Sequence, residues 1–168
     1  MAEPALHFSI PFSVLSYLRL DPAMCLIVSV AALVPDLDIL FRVHRSVSHS
    51  AVLYLPVAVL GIVASVYSSC WSVLLFATWF SLTSHVLLDT VSGFSPIFWP
   101  LSKEEVCVSV ALGVRVGNSV QLRPEVSIRR KPLDVRQRDS LDAVALTLEG
   151  ALVSVLLLAM SVSSFMVG

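Results

Sequence analysis

The stretch WSVLLFATWFSLTSHVLL, Trp71–Leu88, contains no Asp, Glu, Lys or Arg. A helix of this length can cross a hydrocarbon core about 30 Å thick. The stretch lies inside a longer segment, Ser46–Ser102, in which Asp89 is the single charged residue. The whole chain is 57% hydrophobic and 14% charged, and its mean hydropathy of +0.87 is typical of a membrane protein rather than a soluble one. The sequence therefore predicts that Trp71–Leu88 spans a membrane.

Other apolar runs predict further helices. Ala51–Tyr67 is long enough to cross a bilayer or nearly cross it, and Leu141–Val167 forms a third long apolar run. Near the N-terminus, Ala5–Leu18 and Pro22–Val34 are each too short for a perpendicular span. Three arrangements are open for these two pieces: one kinked span, an interfacial helix followed by a short span, or a re-entrant pair.

These runs predict the fold class. We expect an all-α integral membrane protein of about four or five helices, because a lipid environment demands that backbone groups be satisfied internally. We expect a single membrane-embedded domain, 1–168, with a motif-bearing core at 6–118, a basic loop at 119–140 and a C-terminal span at 141–167. Within it, the valine-rich stretch Val106–Val116 partly alternates in polarity, which favours a short strand or one arm of a β-hairpin.

The distribution of basic residues predicts the orientation. Arginine and lysine in short loops favour the cytoplasmic side, so the segment 92–140, which includes the basic loop, is expected there together with Arg42 and Arg45. The protein would then be a multi-pass protein of the cell (inner) membrane. The basic loop is expected to meet anionic lipid headgroups or to form a solvated tether. With a net charge of −1, no general affinity for nucleic acid is expected.

Polar residues converge at one end of the predicted spans. If 51–67 and 71–88 form an antiparallel pair, then His49 precedes the first span and His85 and Asp89 end the second, at the same membrane face. His85 and Asp89 are four residues apart, which places both side chains on one face of a helix. The site is therefore expected to face the cytoplasm, on the side of the basic loop.

Three more candidates fall beside these residues. Asp36, Asp38 and His44 follow the apolar N-terminal stretch, and imidazole with carboxylate is a ligand set for Zn²⁺, with Mn²⁺ or Fe²⁺ also suited. The number of ligands suits one metal with supporting carboxylates or two metals. The alternatives are helix capping by Asp36, a non-catalytic protein with a structural metal site, and an ion or proton pathway.

The motifs also resemble a known family. VPDLD (Val34–Asp38), HRSVSHS (His44–Ser50) and SHVLLDTVSGFSPIFWP (Ser84–Pro100), with an early histidine in LHFSI (Leu6–Ile10), are similar to the pattern of predicted membrane-bound metal-dependent hydrolases, the YdjM-like group. The chain departs from that pattern at Ser46, where glycine is common. It also has Gln121 where many members have a glutamate.

The resemblance implies a function. It implies metal-ligand or catalytic roles for seven residues: Asp36, Asp38, His44, His49, His85, Asp89 and His7. On chemical grounds, a divalent metal held by these side chains would activate water for attack on a phosphoester or lipid-linked substrate. Arg45 has a planar side chain that matches phosphate oxygens. Whichever of Asp36 and Asp38 is not a direct ligand is the expected general base.

Overall fold

The protein is mainly helical and carries one small sheet. The computed structural model describes residues 4–41, 46–116, 120–133 and 147–166. Within this part of the chain, five α-helices, one antiparallel hairpin and three short 3₁₀ segments occur, which confirms the predicted helical architecture and the hairpin. The helices are α1 Pro4–Tyr17, α2 Pro22–Ala31, α3 Leu55–Ser65, α4 Ser69–Ser92 and α5 Leu148–Met166; the strands are β1 Glu104–Val116 and β2 Val120–Pro132; the 3₁₀ segments are Val34–Phe41, Val47–His49 and Ala51–Tyr54.

The two N-terminal pieces form separate helices joined by a tight turn. Arg19 adopts the left-handed conformation, with φ of 59°, and Leu20 N donates to Leu15 O, which closes the end of α1. Asp21 then caps α2, because its Oδ1 accepts a hydrogen bond of 3.0 Å from Met24 N. Pro22 follows at the start of the helix, where proline is favoured. The pieces therefore do not form one continuous kinked helix.

Two of the described helices are long and apolar enough to cross a membrane by length and composition, Ser69–Ser92 and Leu148–Phe165. The predicted span Ala51–Tyr67 is shorter than expected. Its first residues form a 3₁₀ segment, and α3 itself covers 11 residues, or about 17 Å at 1.5 Å per residue. Pro56 explains the change, because proline is favoured in the first turn of an α-helix and the α-helical part begins there.

The predicted basic loop is partly a strand. Residues 120–132 of the segment 119–140 form β2, which pairs in register with β1 from Glu104↔Pro132 to Val116↔Val120. The pattern of β2 explains this, because Val126 and Ile128 alternate with polar residues at a period of two. Residues 134–140 of that loop and 141–146 of the predicted C-terminal span lie outside the described residues.

The helices pack through small and polar side chains as well as through a core. Ser9 Oγ donates to Ser154 Oγ at 3.3 Å, and Ser161 Oγ donates to Ser13 Oγ at 2.9 Å, so hydroxyls join α1 to α5. The apolar core lies where α1, α2 and α4 meet. It consists of Leu15, Cys25, Val28 and Ala77, with Phe12, Leu20, Met24, Leu74, Phe80 and Phe165 packed around them.

Candidate metal centre

Helix α4 positions two members of the site near its C-terminal end. His85 and Asp89 are four residues apart on this helix and are almost completely buried, with 0% and 1% of their surfaces exposed. The helix ends soon afterwards, where Gly93 N donates to Asp89 O at 2.9 Å. An ionisable pair buried at this depth needs polar partners, since unpaired buried charges are costly.

The 3₁₀ segments supply those partners. Pro35 and Asp36 lie in the segment Val34–Phe41, and His49 ends the segment Val47–His49. The loop after His49 is fixed to the chain beyond α4: Ala51 N donates to Ile97 O at 3.0 Å, and Ser50 Oγ donates to the carbonyl of Trp99. These bonds hold His49 over the end of α4.

Four side chains converge on one point. Asp36, His49, His85 and Asp89 each offer one ligand atom, and these atoms all lie within 4.8 Å of one another. Five of the six separations are known individually: Asp36 Oδ1 to His49 Nε2 is 3.6 Å, Asp36 Oδ1 to His85 Nε2 is 3.4 Å, Asp89 Oδ2 to His49 Nε2 is 3.2 Å, Asp89 Oδ2 to His85 Nε2 is 3.8 Å, and His49 Nε2 to His85 Nε2 is 3.3 Å.

These separations fit a tetrahedral metal ion. Ligands about 2.0 Å from a tetrahedral Zn²⁺ lie about 3.3 Å from one another, and the observed separations scatter around that value. Two imidazole Nε2 atoms and two carboxylate oxygens are also a donor set that zinc, manganese and iron accept. The residues present therefore fit a divalent metal, by the spacing and the chemistry of their donor atoms.

Asp38 lies on the other side of His49 and outside this group of four. Its Oδ2 is 3.2 Å from His49 Nδ1. The same oxygen accepts hydrogen bonds from Ser46 N, Ser46 Oγ and Ser48 Oγ at 3.0, 3.0 and 2.9 Å. Asp38 thus orients the imidazole ring through the nitrogen that points away from the cluster. The sequence predicted Asp38 as a ligand or a base. It did not identify Ser48 as a partner of Asp38, although Ser48 directly precedes His49 in the motif.

His7 reaches the cluster from α1. Its ring stacks on that of His85, with 3.7 Å between ring centroids, and its Nε2 lies 3.5 Å from Asp89 Oδ1. That oxygen is the one that does not face the other three ligand atoms. His7 is completely buried, and the contact places its imidazole beside the cluster rather than within it.

Two predicted site residues, His44 and Arg45, lie outside the described residues. The side chain of Gln121, which stands where the resemblance expects a glutamate, is also outside them. The described part of the site therefore consists of Asp36, His49, His85 and Asp89, supported by Asp38 and His7.

Electrostatics link the carboxylates to the imidazole of His49, which lies outside the two helices that are long and apolar enough to cross a membrane. Burial alone would lower the pKa of His49, but the neighbouring carboxylates of Asp36, Asp38 and Asp89 raise that pKa to about 10. Burial alone would also raise the pKa of Asp36, but contacts with His49 and His85 hold it well below its usual range. Without a metal, these contacts therefore favour a protonated His49 beside an ionised Asp36.

Comparisons with known proteins agree with the motifs. A family model described as YdjM inner membrane protein matches residues 9–166, which is most of the chain. This match confirms the resemblance inferred from the sequence, and the family description supports an inner membrane location. No curated protein and no solved structure matches the chain.

Proposed function

The chain belongs to the YdjM inner membrane protein family, and on that premise we propose that it is a multi-pass, metal-dependent hydrolase whose site faces the cytoplasm. The observation that carries the proposal is the convergence of two imidazoles and two carboxylates, all within 4.8 Å, at one end of an apolar helix. The separations among His49 Nε2, His85 Nε2 and Asp89 Oδ2, from 3.2 to 3.8 Å, suit three ligands of one tetrahedral ion. The cytoplasmic orientation rests on the basic residues of β2 and of the segment that follows it.

Three of the four residues are proposed to hold the metal permanently. The side chains of His49 and His85 are 0% exposed and that of Asp89 is 2% exposed, whereas that of Asp36 is 18% exposed. Two histidines and one carboxylate form a ligand set known from catalytic zinc sites, in which the fourth position stays open for water or substrate. Zinc is therefore the preferred ion, with manganese or iron as alternatives.

Asp36 is proposed as the general base. A divalent ion held by these ligands supplies Lewis acidity, which lowers the pKa of water towards neutrality. The Asp36 carboxylate lies at the more exposed edge of the cluster and is ionised at neutral pH, so it can accept a proton from water. Asp38 keeps a proton on His49 Nδ1 and so directs the Nε2 lone pair towards the metal.

The proposed substrate is a phosphoester of the lipid-linked class. A site at the end of a membrane helix can receive an amphiphilic molecule whose apolar part remains in the bilayer. Arg45, next to Ser46 in the sequence, has the planar side chain that binds phosphate oxygens in a bidentate manner.

The test combines metal content with activity. Detergent-purified wild-type protein, expressed with metal present, is expected to contain about one equivalent of zinc, manganese or iron by mass spectrometry, the number that a single tetrahedral site holds. His85→Ala should lose that metal. Ser84→Ala, a change of the adjacent buried residue, should retain it. Phosphate monoesters, diesters and phospholipids are then assayed with the metal-loaded protein.

Asp36→Asn separates catalysis from metal binding. We expect this variant to keep its metal and to lose activity by about 10²- to 10⁴-fold, the usual contribution of a general base. A wild-type protein that is folded, offered metal and still metal-free would overturn the hydrolase proposal. A metal-loaded protein that hydrolyses none of the phosphoesters would overturn the proposed substrate class.

A structural metal is the second candidate, and one observation favours it. The four donors come from three separate segments of the chain, Val34–Phe41, Val47–His49 and α4, and four protein ligands typify a closed, structural zinc site. In that case Asp36→Asn would lose the metal, as His85→Ala does, and chelation would unfold the protein. An ion pathway is less well supported, because it predicts polar groups spread through the bilayer depth. The described histidines instead gather at one end of α4.

A further inference from the structure

One face of the β1–β2 hairpin is apolar over four neighbouring positions of its described part. Residues that pair directly across the two strands have side chains on the same face, and Val108↔Ile128 and Val110↔Val126 are such pairs. Val110, Val126 and Ile128 are 63%, 61% and 63% exposed. These four residues, Val108, Val110, Val126 and Ile128, are called here the apolar hairpin face.

The opposite face of the same hairpin is polar. Ser109 pairs with Ser127 and Ala111 with Glu125, and Arg129 Nη2 donates a hydrogen bond of 3.1 Å to Ser109 Oγ. The side chains of residues 125–130 alternate between the two faces, and all of them are exposed. The hairpin is therefore amphipathic, and solvent on both sides would leave its apolar face without a partner. A two-stranded hairpin in water is only marginally stable unless such a face is covered.

The apolar hairpin face continues onto the outer surface of α4. Ser95 and Val106 exchange backbone hydrogen bonds of 3.0 and 2.9 Å, which fix the hairpin beside the end of the helix. A groove of about 330 Å³ lies between them, and its apolar lining includes Leu87, Val91, Ile97, Phe98, Val108 and Ile128. Leu87 and Val91 are 50% and 53% exposed and belong to a helix that can cross the membrane. Lipid that surrounds α4 would therefore meet the hairpin without a break.

Charged side chains occupy the end of this surface. Arg130 pairs across the strands with Val106, lines the groove, and its Nη1 lies 3.7 Å from Glu104 Oε2. Both side chains are well exposed, at 66% and 50%. A long arginine side chain can cover apolar surface with its methylene groups while its head reaches lipid phosphates. Arg130 at the edge of the apolar surface can therefore reach the headgroup layer while its methylene groups stay on apolar residues.

We propose that the hairpin lies along the membrane surface, with the apolar hairpin face in the boundary between acyl chains and headgroups and the Ser109, Ser127 face towards water. Amphipathic elements bind this boundary in proportion to the apolar area they bury there. The hairpin would then be a membrane-contacting element beside the helix that carries the cluster. This inference stands independently of the metal and of catalysis.

Two adjacent positions on β2 test the proposal. Single cysteines are introduced by Ile128→Cys and Ser127→Cys, labelled with a nitroxide and studied in full-length protein reconstituted in phosphatidylcholine and phosphatidylglycerol vesicles. The background replaces the native Cys25, Cys70 and Cys107. Collisions with lipid-soluble oxygen and with a water-soluble nickel complex are measured. We expect the Ile128 label to favour oxygen and the neighbouring Ser127 label to favour nickel, each by several-fold.

A second pair of labelled positions controls for a folding defect in the first pair. Val126→Cys and Glu125→Cys lie on the apolar and polar faces respectively and should repeat the contrast. Equal access of nickel to the labels at 127 and 128 would place both faces in water and overturn the proposal. Protection of the Ile128 label from both oxygen and nickel would also overturn it, because a second copy of the chain or another protein would then cover the face.

Discussion

The Nδ1 atom of His49 lies 3.2 Å from Oδ2 of Asp38, while the Nε2 atom of the same ring faces Asp36, His85 and Asp89. The two nitrogens of one imidazole therefore serve different purposes. A carboxylate that accepts the Nδ1 proton fixes both the tautomer and the orientation of the ring, and raises the basicity of Nε2. The short motif that contains Ser46 and Ser48 supplies the donors that hold this carboxylate in place.

Asp38→Asn should weaken metal binding without removing it. The asparagine keeps the shape of the side chain but lacks the negative charge that holds the Nδ1 proton, so we expect about a 10- to 100-fold loss of metal affinity. The measurement is a competition titration against a chelator in detergent. Asp21→Asn is the matched control, because Asp21 caps α2 away from the site and asparagine caps equally well. Unchanged affinity in Asp38→Asn would contradict the role assigned to this carboxylate.

Metal affinity should rise with pH. The neighbouring carboxylates raise the pKa of His49 to about 10. In the metal-free protein, both nitrogens of this ring therefore carry a proton at pH values well below 10. A metal that binds Nε2 must displace the proton on that nitrogen. We expect His49 to contribute about tenfold in affinity per pH unit between pH 7 and 9, with release of one proton. Calorimetry in buffers of different ionisation enthalpy measures the release. Binding that is independent of pH would rule out His49 as a ligand.

The sequence predicted the convergence of distant residues better than their individual roles. His85 and Asp89 share a helix face by their spacing, and the antiparallel order of α3 and α4 brings His49 to the same end. Asp38 was grouped with Asp36 because only one residue separates them. In a 3₁₀ segment, however, successive side chains point in different directions, so Asp36 faces the cluster and Asp38 faces the other side of His49.

The boundaries of the elements were harder to predict for physical reasons. The run Ala51–Tyr67 is uniformly apolar, so composition alone could not reveal that Pro56 divides it into a 3₁₀ segment and a short helix. The sequence predicted a basic loop where β2 forms. The apolar residues of β2 occupy only alternate positions, and the basic residues between them are typical of a loop. The short alternating pattern at Val126 and Ile128 becomes a strand of 13 residues through pairing with β1.

Arg19→Gly should stabilise the protein. Arg19 closes α1 in the left-handed conformation, with φ of 59°, and a residue with a Cβ atom is strained there by about 1–2 kcal/mol relative to glycine. Because glycine also gains entropy in the unfolded chain, we expect a net stabilisation of about 0.5–1 kcal/mol. Thermal unfolding in detergent measures it. Arg19→Ala removes the same charge but keeps the strain, so it should not stabilise the protein. Equal effects of the two changes would attribute the gain to the charge instead.

Gly61→Leu should separate α3 from α4. Gly61 is buried against α4, where Ser72 Oγ donates to Gly61 O at 3.0 Å, and an added Cβ would lie 3.3 Å from the ring of Phe76. A single methyl group is tolerable, because Phe76 is 37% exposed and its ring can shift. Gly61→Ala should therefore change stability by less than about 1 kcal/mol, since alanine also favours the helix by about that amount.

A shift of the Phe76 ring cannot accommodate a leucine side chain at position 61. This branched side chain must displace α4, and overpacking of this kind typically costs about 1–3 kcal/mol. Val63→Leu, on the exposed side of the same helix, is the matched control and should leave the unfolding midpoint unchanged. Because α4 carries His85 and Asp89 while the chain before α3 carries His49, Gly61→Leu should also weaken metal binding. If Gly61→Leu lowered neither stability nor metal affinity, the close packing of α3 on α4 would not be what aligns the two halves of the cluster.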